Sequence, residues 1–228
     1  MRIKPFVART VPLLAIALLG SGTAVLASNW FYLTTIPILL VAGPEDKPFR
    51  VPSYVVIQVA HLGQPVGPEV LFNEGARGLG AYKGRVFGAD WKEAAQKAAL
   101  AASRAVGEDP RTWQVTLKGV SPGSTMHGPS ASAALAIAMV VARRGDALLP
   151  GVVITGNVDS DGRISAVGRL PDKILLAASA GFSIILIPPG QTRTPDWDLR
   201  PLAEGLNVRV IEVPTIKEAY ERMTGQSF

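Results

Sequence analysis

Apolar residues fill the first forty positions of the chain and only then begin to alternate with polar ones. No charged residue occurs between Thr10 and Pro44, and Val11 to Leu26 is strongly apolar behind Arg2, Lys4 and Arg9. The pattern predicts an N-terminal hydrophobic helix that enters or crosses a membrane. It reads as an anchor running on through Trp30, Phe31 and Tyr32, whose rings suit a membrane interface, or as a signal cleaved after Val25-Leu26-Ala27. In either case the basic flank stays inside. The body of the protein is then expected outside the cytoplasm, tethered to the cell membrane as a single-pass protein or exported after cleavage near Ala27. The polar break from Gly43 to Pro48 marks a linker, so the expected division is 1–43 for the membrane segment, 44–50 for the linker and 51–228 for the folded domain.

Within that domain the period changes repeatedly. Ser53 to Ala60 and Glu69 to Phe72 read as strands, and Glu74 to Gly80 is a glycine-rich stretch. Asp90 with Glu93 reads as a capping box opening an alanine-rich helix that stops at Gly107. Trp113, Val115 and Leu117 alternate with Gln114, Thr116 and Lys118, the mark of a half-buried strand. A loop from Ser121 to Pro129 follows. Ala131 to Arg143 is then apolar on nearly all sides, which predicts a helix inside the domain. Strands are expected at Gly151 to Thr155, Ile164 to Val167, Phe182 to Ile187 and Leu206 to Val213. Lys173 to Ala180 is expected to be helical, and Thr215 with Glu218 caps a last helix. Strands and helices interleave throughout, giving a mixed α and β domain of the α+β class without internal repeats.

Composition narrows the chemistry. With 48% hydrophobic and 18% charged residues the chain is neither disordered nor multi-spanning. Cysteine is absent, which removes thiol catalysis and disulfides, and two histidines make a histidine-rich metal site untenable. Arg2, Lys4 and Arg9 supply three of the formal +5 charge, and the remainder holds no basic run, so no nucleic-acid partner is expected. Neither G-x-G-x-x-G nor G-x-x-x-x-G-K-[ST] occurs at the glycine-rich stretch, the second pattern occurs nowhere, and no cofactor is expected.

A serine hydroxyl attacks only when a base takes its proton. Gly128-Pro129-Ser130-Ala131-Ser132 approaches the G-x-S-x-G elbow of α/β-hydrolases, but both histidines precede Ser130, which is the wrong chain order for that family. S-x-x-K and H-E-x-x-H are absent as well. Lysine is the base that remains, and it must be neutral near working pH to serve. Lys173 follows Pro171 at a predicted helix start, where the helix dipole opposes a cation. Ser130 opens a helix after Pro129, where free backbone N–H groups could hold an oxyanion. Thr155, at a strand end, has a hydroxyl able to hold the Lys173 amine.

Residues from about 51 to 228 resemble the proteolytic domain of Lon-type endopeptidases, a Ser/Lys dyad family. Gly128 to Ser132 matches that family's G-P-S-A-G, Thr155-Gly156-Asn157 its T-G-E, and Gly168 to Lys173 its G-G-L-x-E-K. The spacing from Ser130 to Lys173 is also the family's. Ala177, Ala178, Gly181 and Ile187-Pro188 follow in register. The resemblance implies Ser130 as nucleophile, Lys173 as base, Thr155 as the group orienting it, and Gly128 and Pro129 as the nucleophile loop. His127, Ser132, Asn157 and Arg169 depart from the family pattern, and the first three are candidates to line the substrate cleft. His127 has no acidic partner apparent nearby in the sequence. The family's ATPase module is not among these residues, so ATP-independent proteolysis of accessible or unfolded polypeptides is expected. Assembly of several copies, a six-membered ring by resemblance, is expected too. The alternative is a catalytically silent peptide-binding or scaffold module at the membrane, and a small-molecule esterase or amidase with the same dyad is a third reading.

Overall fold

A computed structural model describes residues 32–44, 46–74, 86–120 and 125–228. The apolar segment at 1–31, most of the glycine-rich stretch and the first four residues of the loop after Val120 lie outside the described residues, and so does the expected anchor or signal. In chain order the elements are β1 (Tyr32–Ala42), β2 (Phe49–His61), β3 (Glu69–Asn73), α1 (Ala89–Ala105), β4 (Trp113–Val120), α2 (Ser132–Arg144), β5 (Val152–Ile154), β6 (Asn157–Val158), β7 (Ile164–Ser165), α3 (Leu170–Ser179), β8 (Ile184–Ile187), α4 (Leu199–Gly205), β9 (Arg209–Glu212) and α5 (Ile216–Thr224). The mixed α and β composition is the one expected.

The stretch expected as a linker lies between two paired strands. Residues 32–42 form the edge strand of the domain, paired antiparallel with β2 from Tyr32 opposite Val59 to Ala42 opposite Phe49. The polar break is the turn of this hairpin, closed where the Lys47 amide donates to the Pro44 carbonyl at 3.2 Å. Hydropathy misleads here for a physical reason. Ile36 and Ile38 enter one hydrophobic core and Leu39 enters the other. A strand buried on both faces reads as a continuous apolar run, which hydropathy cannot tell from a membrane segment. Tyr32, placed by the sequence in an interfacial belt, instead lies with its ring 5.4 Å from the Arg143 guanidinium. Among the described residues no helix is long and apolar enough to cross a membrane.

The first sheet has the order β1-β2-β4-β3, antiparallel except for the parallel β3–β4 pair. Its inner face carries Ile36, Val55, Ile57, Val115 and Leu117 onto α2 and α1. Every residue of α2 from Ser132 to Ala142 is buried, as its all-round apolar sequence predicts. The second sheet, β5-β8-β9, is parallel. Its strands alternate between two cores: Val152, Ile154 and Leu186 face the α2 and α5 side, whereas Val153, Ile185 and Ile187 face α3 and α4. Parallel strands covered on both faces are short and wholly apolar for this reason.

Three local expectations change. The strand expected to reach Val167 stops at Ser165, because the Gln191 side chain takes over both backbone groups of Val167 at 2.9 Å each. The short helix α4 was not expected; its seven residues are too few to show a period, although Asp198 caps it by accepting from the Arg200 amide. The capping box at Asp90 is not formed, since the N-cap is Gly88 and Asp90 lies inside the first turn of α1. The cap at Thr215, by contrast, forms as expected, with its hydroxyl accepting from the Glu218 amide at 3.3 Å.

A chain shortened to begin at Val51 would lose Ile36, Ile38, Leu39 and Leu40, all at most 5% exposed. Each loss of this kind costs about 2–5 kcal/mol against a total stability of about 5–15 kcal/mol. We expect that chain to show no cooperative thermal transition by circular dichroism, while one beginning at Asn29 keeps it.

Candidate active site

The first turn of α3 sets the position of Lys173. Pro171, which has no N–H to lose, starts the helix after Arg169. Lys173 then points inward and is only 5% exposed. Its ammonium donates to the Thr155 hydroxyl at 3.2 Å, and Thr155 is itself 2% exposed at the end of β5. Burial pushes the Lys173 pKa down to about 8, and the Arg169 guanidinium adds to the shift. The sequence pointed to the helix dipole as the cause; burial is the leading one.

Ser130 sits in a single 3-10 turn, Pro129–Ala131, that leads directly into α2. Gly128 before it adopts φ of +82°, a conformation that side-chain-bearing residues rarely adopt. The Ser130 carbonyl accepts from the Gly156 amide at 2.9 Å and from the Thr155 hydroxyl at 3.2 Å. Thr155 therefore touches both expected partners, holding the Lys173 amine on one side and the Ser130 backbone on the other. Ser132, where the family motif has glycine, is 1% exposed and accepts from the Val158 amide at 2.9 Å. Its hydroxyl thus ties α2 to β6. It lines a smaller pocket of about 270 Å³ rather than the main cleft.

The main cleft, about 580 Å³, has Ser130 and Lys173 in its wall together with His127, Gly128, Pro129 and Asn157. Asn157 donates to the Ala166 carbonyl at 3.0 Å, which fixes its side chain at the rim. Ile38 to Val41 of β1 line the same cleft. Those residues fall in the stretch the sequence assigned to the membrane segment, and no motif signalled them.

His127 does have an acidic neighbour. Its Nδ1 lies 3.5 Å from Asp90, thirty-seven positions earlier in the chain and brought close by α1. The other Asp90 oxygen accepts from the Gly128 amide at 2.6 Å. Partial burial works to raise the Asp90 pKa, but the Gly128 and Trp91 amides and His127 outweigh it, so the net shift is downward. Sequence reasoning spent Asp90 on a helix cap and missed both contacts.

Arg169 is the other departure with a visible role. It occupies the left-handed region, φ 59° and ψ 34°, where the family motif has glycine. Its guanidinium pairs with Asp172 at 3.0 Å and donates to the Gly43 carbonyl at 2.7 Å. Asp172 also accepts from Arg50 at 2.5 Å. Burial favours the protonated Asp172, yet the two arginines hold its carboxyl below the usual range. These contacts fasten the β1–β2 hairpin to the turn that carries Lys173.

Much of the chain resembles known proteins. The family model of the Lon protease (S16) C-terminal proteolytic domain matches residues 92–221, more than half of the chain. A Lon protease of Methylocella silvestris is 34% identical over 143 residues, covering 59% of this chain and 17% of that protein. One of Neorickettsia sennetsu is 34% identical over 101 residues, 44% of this chain and 12% of that protein. The mitochondrial Lon protease homolog of Mus musculus is 33% identical over 95 residues, 41% of this chain and 10% of that protein. The chain thus spans less than a fifth of the length of these curated relatives. It belongs to the family of Lon protease C-terminal proteolytic domains, which are serine-type peptidase domains.

Proposed function

We propose that this domain hydrolyses peptide bonds with Ser130 as nucleophile and Lys173 as general base. One observation carries the reading: a buried amine with a pKa of about 8 shares a cleft wall with Ser130 and is bound to the same threonine hydroxyl that holds the Ser130 carbonyl. At neutral to mildly alkaline pH a sizeable fraction of Lys173 is unprotonated. The neutral amine takes the Ser130 proton as the hydroxyl oxygen attacks the substrate carbonyl, and the resulting ammonium returns it to the departing amine. Water then cleaves the acyl-enzyme with Lys173 again accepting the proton. The oxyanion is stabilised by backbone N–H groups at the start of α2, that of Ser130 among them. Thr155 keeps the amine in position throughout.

The substrate proposed is an extended or unfolded polypeptide, supported by the apolar β1 residues that line the cleft with Ser130 and by the name of the family. No G-x-x-x-x-G-K-[ST] run occurs in the sequence, and the chemistry above needs no nucleotide. A ring of copies and a membrane location on the extracytoplasmic side, through the apolar run behind Arg2, Lys4 and Arg9, complete the proposal.

Incubation of the full chain with an unfolded protein, with and without ATP, tests the dyad directly. Ser130→Ala and Lys173→Ala should each lower kcat at least about a thousandfold without ATP changing the result. A folded parent that yields no peptides, yet binds the substrate as tightly as Ser130→Ala does, would instead make this a peptide-binding module. The pH profile is a second test. Neutral Lys173 is the active form, so kcat/KM should rise through a limb near pH 8. Arg169→Gly removes a neighbouring positive charge, which raises the Lys173 pKa and should shift that limb to higher pH. An unmoved limb would show that some other group titrates in it.

A further inference from the structure

The loop that presents Ser130 is gripped from outside by a group to which the reaction above gives no part. Upstream of the loop, the Met126 amide donates to the Val86 carbonyl and the Gly88 amide donates to the Met126 carbonyl, both at 2.8 Å. Two residues further on, the Gly128 amide donates to Asp90 at 2.6 Å. That acceptor is itself fixed, because its other oxygen accepts from the Trp91 amide at 2.8 Å in the first turn of α1. The fit is close: a Cβ on Gly88 would lie 2.4 Å from the His127 ring and 2.7 Å from the Asp90 carboxylate. A side chain on Gly88 would require the His127 ring and the Asp90 carboxylate to move from this arrangement.

Pro129 fixes its own φ and contributes no N–H. The orientation of Ser130 therefore depends on how the peptide between His127 and Gly128 is turned, in a segment where Gly128 at φ of +82° has no steric preference of its own. A hydrogen bond to an ionised acceptor is stronger than a neutral one, and it supplies that missing preference. Asp90 also stands in the walls of both the main cleft and the smaller pocket, at the point where Pro129 and Asn157 divide them.

We propose that Asp90 is a positioning residue for the nucleophile: by accepting from the Gly128 amide it locks the Gly128-Pro129 turn, and so the Ser130 hydroxyl and N–H, in the orientation that attack requires. The proposal rests on the Ser130/Lys173 reading. Asp90→Ala removes the acceptor, whereas Asp90→Asn keeps an oxygen that can accept from Gly128. Asp90 is half-exposed, so neither change empties the core. In the full chain, Asp90→Ala is expected to lower kcat about ten- to a hundredfold with KM for a peptide within about twofold, the range for a misplaced reacting group. Asp90→Asn should keep kcat within about threefold of the parent. Amide hydrogen exchange at Gly128 provides a readout independent of catalysis, expected slow in the parent and in Asp90→Asn and fast in Asp90→Ala. A parent that is active with Asp90→Ala unchanged in kcat, or Asp90→Asn as impaired as Asp90→Ala, overturns the proposal. Equal exchange at Gly128 in all three chains overturns it as well. A parent that cleaves nothing, with Gly128 exchange differing as described, leaves the lock standing and removes the dyad reading instead.

Discussion

A lysine amine enclosed by protein is an unfavourable object in its charged form, and the arrangement around Lys173 follows from that one constraint. Among the described residues the nitrogen donates to one side chain, the Thr155 hydroxyl. No carboxylate is the leading influence on it, because a negative neighbour would restore the proton that burial removes. The acid next to it in sequence, Asp172, is turned away and neutralised by Arg50 and Arg169. The pairing also recruits Arg169, whose residual field pushes the amine further towards neutrality.

The enclosure is a property of the whole fold rather than of α3. Leu170 and Ile174 on either side of Lys173 belong to the smaller core, which is completed by Val153, Ile185, Ile187 and Leu199. Ala131, the residue after Ser130, and the apolar residues of α2 belong to the larger one. Strands β1, β5 and β8 insert alternate residues into both cores, so the period-two geometry of a strand joins the core beneath α2 to the core beneath α3, and Ser130 and Lys173 line one cleft. Thr155 lies at the seam, one residue past the end of β5.

How much of this could be read from the chain depended on whether the signal was local. Helix α2, strand β4 and the Thr215 cap declare themselves through a period or a hydroxyl three residues from its target. The spacing of Ser130, Thr155 and Lys173 was legible because family motifs preserve it in register. Strand β1 was not, since a strand covered on both faces has the hydropathy of a membrane segment. Asp90 was misassigned because its local pattern fits a helix cap, while its actual partners, Gly128 and His127, lie across a fold that sequence reading cannot assemble. The roles of Ser132 and Arg169 were hidden in the same way. Each looked like a lapse from the family pattern and each turns out to hold two elements together, α2 with β6 in one case and the N-terminal hairpin with α3 in the other.

That hairpin contact has a further meaning for when the site comes into being. Arg50 and Asp172 are 122 positions apart, and Gly43 and Arg169 are 126 apart. Contacts of such separation close late, because the entropy of drawing the chain together must be met before they return anything. In the unfolded chain Lys173 is in water, with the ordinary lysine pKa of about 10.4, and carries its proton. On the proposed reading, an unfolded copy therefore contains the serine but no neutral amine to act as its base. On the Ser130/Lys173 reading proposed above, the chemistry depends on the closing of the domain itself.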